Sequence, residues 1–432
     1  MSSANSIDSE VRTLGSKFAA KGSTVMYVSM GTMIVAFVVW SMISPIAPQL
    51  QKQFSLTEFQ KSVLVATPVL LGSLFRIPIG MLTDRFGGRR VYTLLMLVLL
   101  VPLFGITTAH SFAVFVFWEV LLGIAGTSFA VGIGHVSAWF PPQKQGLVLG
   151  ITALGNVGTA VAGFTIPSLY LHLGFSGMAY TLMVPVVLSA LVLWILTRDA
   201  SKAASVHLRV VGPTSVKEPA PEPKDDHNNQ PFWSSSRLWL LSFYYFITFG
   251  GFVAFGNYLP TLLQGQLHLT PVDAGLRAAG FVLLATALRP VGGYLADRIS
   301  PASLLLVAFA VIGLCSLAWA YGIKSMSVTT LCALLIASVL GIGNGSVFKM
   351  VPVNFPKSTG KATGIVGAIG GIGGFFPPLI MGAFRQHTGS FTGGFLLLTM
   401  VAVVAFVVIL MTDVERKGAD GPPRHRRVSA LD

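Results

Sequence analysis

Twelve apolar runs of about twenty residues, parted six from six by one polar stretch, leave this chain few folds to adopt. In hydrocarbon every backbone N–H and C=O must be satisfied within the chain, so each run crosses as a helix, and about 20 residues cover a core roughly 30 Å thick. The runs fall at about 25–48, 61–82, 91–108, 112–137, 146–170, 177–197, 238–263, 272–296, 302–322, 328–351, 361–386 and 391–411. Composition agrees: 53% of residues are hydrophobic and 10% charged, where a soluble globule is about a quarter charged. The expected fold is an all-α membrane protein of twelve transmembrane helices. They form two six-helix bundles, 25–197 and 238–411, joined by a polar linker at 198–237 and flanked by polar tails at 1–24 and 412–432.

The two halves repeat one pattern. Arg76-Ile-Pro-Ile-Gly80-Met-Leu-Thr-Asp84-Arg85 in the second run aligns with Arg289-Pro-Val-Gly-Gly293-Tyr-Leu-Ala-Asp297-Arg298 in the eighth, at a constant offset of 213 residues. A doubled unit predicts pseudo-symmetric bundles. A guanidinium inside a membrane helix costs at least roughly 2.5–3.5 kcal/mol, so two at matching positions imply a polar interior with a task. Either arginine alone could snorkel to an interface or satisfy the carbonyls of a broken helix. As a pair they suit an anion, because the planar guanidinium fork meets coplanar oxygens bidentately. Counterions are scarce nearby. Glu119 is the one acid deep in a run, Asp273 sits at the end of another, and Asp84 and Asp297 lie about 12 Å along the helix from their arginines.

The net charge of +13 invites nucleic acid as a partner, but its distribution points to a membrane. With both ends of the chain in the cytoplasm, 21 of the 29 lysines and arginines fall in or beside cytoplasmic segments, among them Arg89, Arg90, Lys202, Lys217, Arg416 and Arg427. That is the positive-inside pattern, with anionic lipid headgroups as partners of the tails. The expected location is the cell membrane, multi-pass, with no cleavable signal at the start. Cys315 and Cys332 both fall in runs and suggest neither a disulfide framework nor a metal site. The segment 210–231 and the tail after Asp413, rich in proline and charge, read as disordered.

Gly80-Met-Leu-Thr-Asp84-Arg85-Phe-Gly-Gly-Arg89-Arg90 joins the second and third runs. It resembles the loop motif of the major facilitator superfamily, and the six-plus-six arrangement agrees with that fold along the whole chain. Asp84 can meet the positive N-terminus of a neighbouring helix and latch one side shut, worth roughly 0.3–2 kcal/mol. Arg89 and Arg90 read equally well as topological anchors. Two glycine runs add to this. Gly155-Asn156-Val157-Gly158 in the fifth span corresponds to Gly370-Gly371-Ile372-Gly373 in the eleventh at an offset of 215, with Asn156 matching Gly371. Small residues let helices approach closely, so these runs read as packing surfaces and, as a matched pair, as sliding surfaces beside a central site.

Together with Arg76 and Arg289, the runs Gly155 to Gly158 and Gly367 to Phe375 resemble the signatures of the nitrate/nitrite porter family within that superfamily. The resemblance implies a secondary transporter that moves nitrate or nitrite by alternating access, as proton-coupled uptake or as exchange. It also implies Tyr245 and Phe249 in the seventh span and Phe129 in the fourth as contacts around the anion, with Asn156 either touching substrate or bonding a neighbouring helix. The family has a further glycine where Ala153 stands. Against an inside-negative potential, entry of an anion costs roughly 2.3 kcal/mol per 100 mV, so uptake needs protons or a counter-anion. Three titratable groups in spans are candidates for coupling: His135, Glu119 and Lys349, each equally readable as a structural group. No nucleophile with base and orienting partner, phosphate loop, metal set or cofactor motif is present, so catalysis is not expected. A single chain is the expected transport unit. A facilitator for short carboxylates and a membrane nutrient sensor stay open as alternatives.

Overall fold

The computed structural model describes residues 2–140, 142–200, 232–355 and 359–419, and among these every regular element is helical. Ten helices are long and apolar enough to cross a membrane, and a bent pair supplies another. They are α1 (Lys21–Gln53), α2 (Glu58–Leu74 with Arg76–Phe86, bent by 41°), α3 (Gly88–Thr108), α4 (Phe112–Ser137), a long unit Val148–Leu196, α7 (Ser236–Leu267), α8 (Pro271–Ala296), α9 (Pro301–Gly322), α10 (Met326–Asn354), α11 (Lys361–Thr388) and α12 (Thr392–Thr412). The unit Val148–Leu196 has 49 residues, roughly 70 Å at 1.5 Å per residue, far more than one crossing needs. It breaks at Gly174, whose φ of 68° and ψ of −178° are non-helical. It is therefore two spans, α5 (148–173) and α6 (175–196), and the total among the described residues is twelve.

Local chemistry sets many of the ends. Thr57 and Gln60 form a reciprocal capping box at the start of α2, and Ser111, Thr270 and Ser325 each accept a backbone N–H at the start of α4, α8 and α10. Such caps satisfy donors that a helix start leaves free. Pro271 and Pro301 occupy first-turn positions where no N–H is needed. At the far end, the helix containing α12 runs on to Ala419, past the point where the charged composition predicts an irregular tail. The expected linker residues 201–231 and the tail residues 420–432 lie outside the described residues.

Alternate crossings put Gln53, Glu58, Leu267, Pro271 and Thr388 at one end of the bundle, here the Gln53 end. Phe86, Gly88, Leu196, Ser236 and Lys361 lie at the other, the Gly88 end. The glycine signatures serve packing inside each half. A side chain at Gly155 or Gly158 would strike Met33, Phe37 and the Ile34 carbonyl of α1, and one at Gly370 or Gly373 would strike Tyr245 and Phe246 of α7. So α5 lies on α1 as α11 lies on α7, one arrangement used twice.

The halves meet across the Gln53 end. Gln49 Nε2 donates to Gln264 Oε1 at 2.7 Å, Gln264 Nε2 to the Pro45 carbonyl at 3.1 Å, and Ser44 Oγ to the Asn257 carbonyl. The Phe59 N–H donates to Gln386 Oε1 at 3.0 Å. Gly382 of α11 sits against Ser62 of α2, and Gly163 of α5 against Gly275 of α8.

Candidate functional site

Arg76 begins the second segment of α2, after the break at Phe75, and is 6% exposed. Its guanidinium carbon lies 5.2 Å from the Phe129 ring centroid and 5.3 Å from that of Phe249. Arg289, half-buried in α8, lies 5.3 Å from the same Phe249 centroid and 4.3 Å from that of Phe252. One ring thus touches both cations, and the two guanidinium carbons can be no farther apart than twice 5.3 Å. Phe249 is itself held in a column on α7, stacked on Tyr245 at 4.9 Å with an interplanar angle of 2° and on Phe252 at 5.9 Å. Phe348 of α10 meets Tyr245 edge-on at 4.8 Å.

The arginines are under-partnered. Arg76 Nη1 donates to the Gly367 carbonyl at 3.2 Å, across the interface between halves. Its Nε, and both Nε and Nη2 of Arg289, are buried without an acceptor. No ion pair among the described residues includes either arginine. Asn156, in the short 3-10 turn Leu154–Val157 within α5, is 0% exposed and neither its Oδ1 nor its Nδ2 has a partner. That turn packs against α8. Gly371, its counterpart, leaves no room for a Cβ, which would strike Ser73 Oγ and lie 3.3 Å from Arg76 Nη1. Buried donors without acceptors cost free energy, and a small oxyanion supplies acceptors and charge at once.

Arg76, Arg289, Phe129, Phe249 and Tyr245 are therefore brought together, with Gly370 and Gly371 beside them and Asn156 on the turn facing α8. Other expected residues lie apart. His135 is near the Gly88 end, where its Nδ1 is 3.3 Å from Ser29 Oγ and its Nε2 is 3.2 Å from the Arg198 carbonyl and 3.9 Å from Asp199. Lys349 pairs with Asp297, so that acid ties α8 to α10 within one half. Glu119 is 0% exposed in α4, with no partner for either oxygen. Asp84 and Arg85 are exposed, and Arg85 rests over Phe86. The start of α3 is met by Asp199, whose Oδ1 accepts the Arg89 N–H at 2.8 Å. Residues 356–358, just before α11, lie outside the described residues.

Several residues were missed in the sequence. Phe252 and Phe348 complete the aromatic wall, and among so many phenylalanines no pattern sets them apart. Asn344 of α10 is buried with both amide atoms unpartnered, hidden in a glycine run that reads as packing. Ser73 and Thr286, each three residues before its arginine, are also unpartnered. The repeat register, carried one turn upstream, would have paired them.

Comparisons with known proteins agree with this fold. Residues 30–359 match the family model of the Major Facilitator Superfamily. The chain is 38% identical to the nitrite extrusion protein of Bacillus subtilis (strain 168), over 88% of this chain and 91% of that one. It is 36% identical to the probable nitrate transporter NarT of Staphylococcus carnosus (strain TM300), over 90% and 96%. Among solved structures it resembles a bacterial homologue of the human lysosomal transporter Spinster, in an inward-facing and occupied conformation. That match has a TM-score of 0.72 at 16% identity and covers 91% of this chain and 97% of that one. The human organic anion transporter TETRAN gives a TM-score of 0.66 at 14% identity, over 90% and 99%. At such identities these structures speak for the fold alone, and the sequence relatives carry the family. The chain is a multi-pass membrane transporter, not an enzyme, and belongs to the major facilitator superfamily and, within it, to the nitrate/nitrite porter family.

Proposed function

We propose that this protein carries nitrate and nitrite across the cell membrane by alternating access, with the anion held between Arg76 and Arg289 and walled by Phe129, Tyr245, Phe249 and Asn156. One observation carries the reading: two guanidiniums, one from each half, share the Phe249 ring and have no carboxylate partner among the described residues. Like charges brought that close repel when the site is empty. An anion about 4 Å from each would recover roughly 4 kcal/mol per pair at an effective dielectric near 20. Binding thus draws the halves together, which is the differential affinity that alternation requires. Small oxyanions with coplanar oxygens fit a guanidinium fork, and the names of the relatives from Bacillus and Staphylococcus support nitrate and nitrite as the substrates.

In this proposal the Gly88 end faces the cytoplasm, because the basic residues cluster there, and the hydrogen bonds across the Gln53 end close the outer side. One chain is the transport unit. Entry of the anion is coupled to protons or to an outgoing anion, with Glu119, His135 and Lys349, which lie apart from the arginines, as the titratable candidates. Purified protein in liposomes tests this: nitrate and nitrite entry is followed with and without an imposed proton gradient and with and without trapped counter-anion. Saturable entry of either anion, raised by one of those two driving forces, is expected. Entry no faster than in empty liposomes under all four conditions would rule the proposal out.

A further inference from the structure

Three residues before each arginine, one helical turn away, stands a hydroxyl: Ser73 before Arg76 and Thr286 before Arg289, again 213 residues apart. Both are 1% exposed and neither Oγ has a hydrogen-bond partner. The hydroxyls of Thr93, Thr261 and Ser316 are also buried without a partner, but none of them stands three residues before an arginine. A hydroxyl inside a helix commonly bonds back to the carbonyl four residues earlier, as Thr83 does to Ile79 at 2.8 Å, Thr152 to Val148 at 2.9 Å, Thr248 to Tyr244 at 3.0 Å and Ser346 to Ile342 at 2.9 Å. Ser73 and Thr286 share the arginines' helices and repeat position and leave that bond unmade.

Their placement gives the hydroxyls a use. Ser73 lies just before the break at Phe75 and Arg76 just after it, and Ser73 Oγ and Arg76 Nη1 both lie against Gly371. Thr286 and Arg289, three apart on one helix, are neighbours on its surface. In the other half the Asn156 turn packs against the helix of Thr286 and Arg289. We propose that the Ser73 and Thr286 hydroxyls are a second, symmetric pair of anion ligands that favours trigonal nitrate over bent nitrite. Nitrate presents three oxygen–oxygen edges. Two guanidinium forks take two of them and leave a third for two O–H donors. Nitrite has one such edge and gives the hydroxyls little to bind once an arginine has taken it. This inference rests on the anion reading of the arginine site.

Titration calorimetry of the full chain in detergent with potassium nitrate, and separately with potassium nitrite, tests it on Ser73→Ala, Thr286→Val and the double variant. A hydrogen bond to a charged group predicts that each single variant weakens nitrate binding at least roughly tenfold. Nitrite binding should change by less than about threefold, within what a second-order contact contributes. Thr286→Ser keeps a hydroxyl and should recover most of what Thr286→Val loses. Size-exclusion profiles and thermal unfolding identify any variant that is misfolded, and the serine variant then carries the test. Nitrate binding by the double variant equal to that of the parent, or equal weakening of both anions, overturns the hydroxyl assignment while leaving the arginine site standing. Absence of nitrate and nitrite binding by the parent itself overturns the function and the assignment together.

Discussion

Phe249 is the ring that the cations Arg76 and Arg289 share. Cation–π contact contributes roughly 0.5–2 kcal/mol at each guanidinium, and the stack with Tyr245 and Phe252 keeps the ring from turning away. Positioning matters as much as charge, because a guanidinium offers two parallel donors and an ammonium only a point charge. Arg76→Lys and Arg289→Lys are each expected to cut nitrate uptake into proteoliposomes by about tenfold or more, while membrane insertion and yield stay at the parent level. Uptake near the parent rate in both would show that the forks are not the ligands. The arginines were plain in the sequence because hydropathy makes a cation in an apolar run expensive. Phe249 was marked only by family resemblance, since one phenylalanine among 30 carries no signal of its own.

At the scale of the helix, glycines decide how close two spans come. Gly370 meets the Tyr245 ring with no room for a methyl group, whereas a Cβ at Gly364, in the same helix, meets nothing within 4 Å. Overpacking costs about 1–3 kcal/mol. Gly370→Ala should therefore lower the thermal unfolding midpoint of the purified protein and slow uptake by displacing Tyr245, while Gly364→Ala leaves the midpoint unchanged. Equal midpoints for both variants would contradict this packing. Breaks in the helices have a similar local logic. Pro290 offers no N–H to the Thr286 carbonyl, and α2 bends by 41° at the residue before Arg76, so each arginine leaves its helix beside an opened turn. The sequence announced the prolines and the glycine runs. It did not say which glycines touch their own half and which, like Gly371, face the other.

Across the whole molecule, repeat-equivalent residues meet at the junction of the halves. Gln49 and Gln264, 215 positions apart, hydrogen-bond directly, and this contact helps to close the Gln53 end in the present conformation. Alternating access requires it to part. Cysteines at both positions, bridged by a short bismaleimide in a background lacking Cys315 and Cys332, should block net uptake, whereas either cysteine alone treated the same way should not. Undiminished uptake after complete cross-linking would mean that the Gln53 end need not open. Such contacts lie beyond sequence reading, because each is a short polar side chain at the end of an apolar run, indistinguishable from a solvated one until the halves are docked.

Hydropathy and spacing by themselves determined twelve spans, the doubled unit, the paired arginines and the glycine signatures. Those properties follow from the cost of polar groups in hydrocarbon, which acts on each stretch of chain separately. Only the tertiary structure decided that both arginines share one ring, that Asp199 meets the start of α3, that Lys349 is engaged with Asp297, and that Ser73 and Thr286 hold unspent donors. Those facts depend on helix rotation and docking, which distant side chains set jointly and no single segment encodes.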